Sequence, residues 1–255
     1  MSERVALIVA AASACAVVVA VVVLRQVRPI KESTDETPDV IEYITMMIGV
    51  VYAIVLGLAI AGVWEARGAA QDDLFHEAQS LREVSDRAVA YPVEFRNQVR
   101  ADVDAYVSYV VNTEWEYMKN NGALSDNGDR LLEKLRNDVA TRPADSDLES
   151  QAYQPILDRI DQVSEARNSR GQNAGSTMPG VVWLGLLGGA VVTVGMLFAL
   201  QIRRTWRELI LALCFSALIA FLLFMIWDFD SPFARRVSVS TQPFEDLFPW
   251  LHLGD

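Results

Sequence analysis

Four stretches of this chain are long, apolar and free of charged residues: Val5 to Leu24, Tyr43 to Trp64, Val181 to Ile202 and Leu209 to Trp227. Crossing the hydrocarbon of a bilayer takes about 20 apolar residues. Lipid cannot satisfy backbone polar groups, so each stretch predicts a membrane-spanning helix. Tyr43, Trp64, Trp183, Trp206 and Trp227 stand near the ends, where amphipathic rings prefer the membrane interface. A cleaved signal peptide is the competing reading of the first stretch. Its apolar run is longer than such a core, and no small-x-small cleavage site precedes Arg25, so a retained span is expected. Cys15 and Cys214 fall inside spans and read as buried thiols without chemistry.

The net charge of −11 sits beside 52% hydrophobic residues, which implies segregation into membrane and solvated portions. Residues 65–178 carry 21 acidic and 13 basic side chains, a net of −8. Apolar residues there follow helical spacing, and no alternating Val/Ile/Thr-rich run suggests a sheet. The second span continues without a break through "WEARGAAQDDLFHEAQSLREVSDRAVAY", where Leu74, Ala78, Leu81, Ser85 and Ala88 keep a 4-3-4-3 seam. From Val40 to Tyr91 this predicts one helix of about 78 Å, ended by Pro92.

A second helix presents Phe95, Val99, Val103, Tyr106, Val110 and Tyr117 on one face and stops at "NNG" before Ala123. A shorter one comes next, with Leu131, Leu132, Leu135 and Val139. "SDLE", Ser146 to Glu149, has capping-box form and opens a helix burying Leu148, Ile156, Ile160 and Val163, with a kink expected at Pro155. "GQNAGSTMPG" breaks the structure before Pro179 starts the third span. The expected fold is all-α: an integral membrane protein of four transmembrane helices, with a helical soluble domain inserted between helices two and three. Its segments are 1–42, the first span and a loop; 43–64, the second span; 65–178, the acidic domain; 179–227, spans three and four; and 228–255, a tail. The tail lies along the interface or wraps the helical domain.

Orientation stays open. Arg25, Arg28 and Lys31 in one short loop, and Arg203, Arg204 and Arg207 in the other, favour the cytoplasm for those loops. Arg4, Arg67, Arg82, Arg167, Arg170, Arg235 and Arg236 weigh on the opposite side.

Several strings resemble the bacterial bestrophin-like domain family: "YAIVLGLAIAGVWE" (Tyr52 to Glu65), "EAQSL" (Glu77 to Leu81), "YVVNTEWEYM" (Tyr109 to Met118) and "WDFDSPF…QPF" (Trp227 to Phe244). They occur in the family's order. The resemblance extends to bestrophins, pentameric chloride channels in which the second span lines the pore neck with large apolar residues four apart. It implies a homo-oligomer of five subunits, a cytoplasmic helical domain and anion conduction. Pro232 and Phe233 match the start of the stretch that leads bestrophins into an acidic calcium clasp, but Ala234, Arg235 and Arg236 depart from it. No metal, cofactor or nucleic-acid partner is expected; the expected partners are further copies of the chain, the lipid of the cell membrane and small ions.

A helical projection divides the second span into three surfaces. Gly49, Ala53, Gly57 and Ala61 form a small-residue stripe suited to close helix packing, within one subunit or between neighbours. Beside it lie Thr45, Ile48, Tyr52, Leu56, Ala59 and Val63, of which Ile48, Tyr52 and Leu56, with Thr45 and Ala59, form the candidate constriction, since apolar side chains gate by dewetting. Met47, Val51, Ile54 and Leu58 face lipid or other helices. Gly185, Gly189 and Thr193 form a second small ladder on the third span. Electrostatics pull the other way on selectivity: Glu42, Glu65 and the acidic domain favour cations, and an anion path needs local donors such as Arg67.

Asp72, Asp73, His76 and Glu77 share a helix face and could hold a metal, although a solvated surface is the commoner meaning of such a cluster. Glu114 and Glu116 flank Trp115, yet no nucleophile motif or phosphate loop accompanies them, so an enzyme is not expected. Asp228 and Asp230 at the end of the fourth span could recruit ions. A non-conducting scaffold or sensor, and a cation-selective channel, are the alternatives to an anion channel.

Overall fold

The computed structural model describes residues 39–199, 206–233, 235 and 239–250; the expected first span, Val5 to Leu24, lies outside them. The described residues are helical, with no strand among them. The helices are α1 (Asp39–Arg87), α2 (Val93–Tyr109), α3 (Trp115–Asn121), α4 (Asp126–Ala140), α5 (Asp147–Gln172), α6 (Gly180–Ala199), α7 (Trp206–Phe229) and α8 (Gln242–Leu247). Two of them, α1 in its apolar half and α7, are long and apolar enough to cross a membrane, and the apolar run Gly180–Met196 of α6 is shorter. Cys214 on α7 is exposed rather than buried, because no described helix packs over its side of the span.

The chain divides into two compact units. One joins the chain up to Trp64 with Met178–Asp228, and the other joins Glu65–Thr177 with Phe229–Asp255. Helix α1 contributes residues to both. At 49 residues it spans about 74 Å, and a short 3-10 turn, Ala88–Ala90, separates it from Pro92, the N-cap of α2.

In the helical unit the seam of α1 is Ala70, Leu74, Ala78, Leu81, Val84 and Ala88, all fully buried. Ser85 is half-buried and Val84 replaces it in the seam. Phe95, Val99, Val103, Tyr106 and Val107 of α2 meet that seam in one hydrophobic core. Leu132, Leu135 and Val139 of α4, and Ile156, Ile160 and Val163 of α5, complete it.

Two expectations fail here for local reasons. Tyr117 is 43% exposed because a π turn, Val110–Glu114, joins α2 to α3. One extra residue per turn rotates the succeeding helix by about 100°, so Glu114, Trp115 and Met118 enter the core instead. Leu148 is 61% exposed, since the first turn of α5 points it outward while Glu149 turns in. The capping box forms by half: Ser146 Oγ accepts from Glu149 N at 3.2 Å, but Glu149 accepts from Asp145 N rather than from its cap. Helix α5 runs on through Pro155. Helix α3 ends at Gly122, whose φ of +63° is the left-handed conformation that glycine adopts without Cβ strain.

The tail is part of the helical unit rather than a separate segment. Phe233, Val239, Phe244 and Phe248 are buried in its core, and the Trp115 and Phe233 rings meet edge-on with centroids 5.6 Å apart. Asp230 is 2% exposed and accepts from the hydroxyls of Ser176 and Thr177, so its carboxylate is held by protein rather than presented to ions.

Candidate functional site

The unit that joins the chain up to Trp64 with Met178–Asp228 holds the candidate residues of the second apolar stretch. Tyr52 and Leu56 are only 6% and 3% exposed. The Tyr52 hydroxyl donates to the Leu186 carbonyl of α6 at 2.9 Å. Its ring lies over Gly189, where a Cβ would stand 2.5 Å from Tyr52 Cε2. Of the expected constriction of Ile48, Tyr52 and Leu56, Tyr52 holds α1 to α6 within this protomer and Leu56 is buried, while Thr45, Ile48 and Ala59 lie half-buried. Gly189, from the ladder of the third span, is the residue that lets the Tyr52 ring come so close.

The small stripe is open. Ala53, Gly57 and Ala61 are exposed and Gly49 is half-buried. Among the described residues nothing lies within 4 Å of a Cβ built on Gly49 or Gly57. On the face opposite Tyr52, Val50, Ile54 and Leu58 are 55%, 58% and 69% exposed, forming a row of large apolar residues four apart.

The helical unit also holds a buried charge network. Arg170 Nε and Nη2 donate to Glu77 Oε2 and Oε1 at 2.9 and 3.0 Å, and Nη2 also reaches Glu114 Oε2 at 3.1 Å. Arg167 grips Glu114 with both terminal nitrogens, while its Nε donates to Asp129 at 2.8 Å. Tyr106 donates its hydroxyl to Glu77 Oε1 at 2.6 Å, and Ser125 Oγ donates to Glu114 at 3.0 Å. Glu77, Glu114, Arg167 and Arg170 are each at most 1% exposed. Burial alone would raise the Glu114 carboxyl, but the guanidinium groups of Arg167 and Arg170 overcome it and hold the carboxyl below its ordinary value. Burial, together with Glu77, pushes the Tyr106 phenol well up.

Every carboxylate oxygen of Glu77 and Glu114 accepts a hydrogen bond, so the network is closed to a substrate. It joins α1, α5, the π turn and α4 by charge. The face of Asp72, Asp73, His76 and Glu77 is divided: Glu77 enters the network and Asp73 accepts from Ser169. Among the described residues no group of acids, histidines or cysteines is placed to hold a metal. Glu116 is exposed beside Lys119 and joins no site. One signal for the network is present in the sequence: Arg167 and Arg170 continue the 4-3-4-3 seam of Ile156, Ile160 and Val163, placing two charges on an apolar stripe.

The family model of the bestrophin-like domain matches residues 11–244. The chain belongs to the bestrophin-like family. Its fold is similar to crystal structures of a bacterial bestrophin homologue from Klebsiella pneumoniae. One point variant aligns at a TM-score of 0.68 and 14% identity over 100% of both chains. Another aligns at 0.68 and 12%, covering 96% of this chain and 97% of that one. A third structure of the homologue gives 0.67 and 14% over the same shares. No curated protein matches in sequence.

Proposed function

We propose that this bestrophin-like protein is one subunit of a homopentameric ion channel of the cell membrane, with the second span lining a central path. The observation that carries this is the family match over residues 11–244, together with a fold shared along the whole chain with bestrophin homologues. The resemblance to bestrophins favours anions, chloride foremost. The open row Val50–Ile54–Leu58 supplies an apolar neck of the bestrophin kind, on the side of α1 away from its own packing partner α6. The exposed stripe Ala53–Gly57–Ala61 flanks that row and lets the second spans of neighbouring subunits approach closely. Conduction is passive, gated where the neck wets or dries.

The acidic composition supports a second reading, a cation-selective pore of the same build. One preparation tests both. Purified protein in mild detergent should have the mass of five chains, and in planar bilayers a chloride gradient should set the reversal potential. A reversal potential that tracks potassium instead assigns the cation pore. A monomer or dimer, or liposomes that pass neither ion, ends the channel reading and leaves the scaffold.

A further inference from the structure

Arg67 is a cation of the helical unit that neither the charge network nor the proposed neck employs. Its guanidinium lies 5.7 Å from the centroid of the Phe229 ring, which restrains it. Among the described residues its Nη1 is buried without a hydrogen-bond partner. A buried donor on a charged group costs free energy unless something accepts from it. Arg67 lines a groove of about 420 Å³ with Gln71 and Phe75 of α1, and with Ser240, Gln242 and Asp246 of the tail. The tail is tied to α1 beside this groove by Arg82, which donates to the Leu247 carbonyl at 3.3 Å. Gln71, Ser240 and Gln242 add neutral donors, and Asp246 sits on the groove wall without pairing with Arg67 Nη1.

We infer that this groove is an oxyanion site for a phosphate group, with Arg67 supplying the charge. Gln71 and the Ser240 hydroxyl complete the donor set. The phosphate comes from a lipid headgroup or from a soluble phosphate compound; the chemistry at Arg67 is the same for either. The site stands whether or not the chain conducts.

The test is titration of the full-length, delipidated protein in detergent with inorganic phosphate, against chloride at matched ionic strength. Phosphate should bind saturably and chloride should not compete at equal concentration. Arg67→Gln should weaken binding at least tenfold, whereas Asp246→Asn, which removes a repelling charge, should tighten it. Opposite shifts from two variants in one groove separate loss of the site from loss of the fold. Repeating the titration in phosphatidylglycerol vesicles identifies the source: binding blocked there assigns the lipid headgroup, and binding retained assigns a soluble phosphate. No saturable binding in detergent, or equal binding by Arg67→Gln, overturns the inference.

Discussion

At the scale of single residues, two close approaches decide how each unit holds together. Tyr52 fits only because position 189 has no side chain, so Gly189→Ala must displace the ring. Overpacking of this kind costs about 1–3 kcal/mol, while Tyr52→Phe keeps the ring and loses one hydrogen bond, about 0.5–1.5 kcal/mol. Thermal unfolding in detergent should therefore rank wild type above Tyr52→Phe, and Tyr52→Phe above Gly189→Ala. Glu114 is the second such residue. Glu114→Gln removes the charge that two buried guanidinium groups share, and breaking a buried pair costs about 3–5 kcal/mol. The sign with pH comes from the same contacts. The folded-state pKa of Glu114 lies below its unfolded value, so its stabilisation is fully present above the ordinary carboxylate range and is lost as pH falls through the folded value. Wild type should lose melting temperature below about pH 4.3, and Glu114→Gln should lose less over that window. Parallel acid profiles for the two proteins would remove Glu114 from the account.

At the scale of elements, helical periodicity carries most of what can be read in advance. The seams of α1, α4 and α5 are visible as apolar spacing, and Pro92, "NNG" and "SDLE" mark the right boundaries because each acts through its own backbone. The π turn is not legible, because nothing in Val110–Glu114 distinguishes a turn of i→i+5 from an ordinary one; in it Glu114 faces Arg167, 53 residues along the chain. The pairing within the charge network is illegible for a related reason, although Arg167 and Arg170 on an apolar seam signal it in part. Glu77 and Arg170 stand 93 residues apart, and pattern read locally places Glu77 on a solvated face. The second span is a mixed case: periodicity groups its residues into faces, but that Tyr52 meets α6 depends on Gly189, far along the chain. The tail is likewise an element whose partner is distant. Removing residues 232–255 withdraws Phe233, Val239, Phe244 and Phe248 from the core of the helical unit. That truncation should leave the far-ultraviolet helix signal largely intact while limited proteolysis of residues 65–177 accelerates at least tenfold. Unchanged proteolysis would mean that the tail is dispensable to the core.

At the scale of the whole molecule, the proposed channel raises the question of which face of α1 would turn to the axis of its assembly. Side chains that line a neck must be bare on the isolated protomer, and those that hold the protomer together must not be. Ile54 and Leu58 meet the first condition, and Tyr52 and Leu56 meet the second. Widening the neck should act on conduction with little effect on stability, because an exposed apolar side chain gives up few contacts on truncation. Ile54→Ala and Leu58→Ala are therefore expected to raise unitary conductance or open probability in bilayers, with melting temperature and subunit number unchanged. Leu56→Ala is expected to do the reverse, costing about 2–5 kcal/mol of stability as a buried cavity and leaving the open-channel conductance of the surviving protein at the wild-type level. A conductance change in Leu56→Ala at full stability, with Ile54→Ala and Leu58→Ala silent, would return the axis to the Tyr52 side and require α6 to part from α1 in the assembly. Measuring both properties on the same preparations separates a residue that faces ions from one that positions the helix facing them.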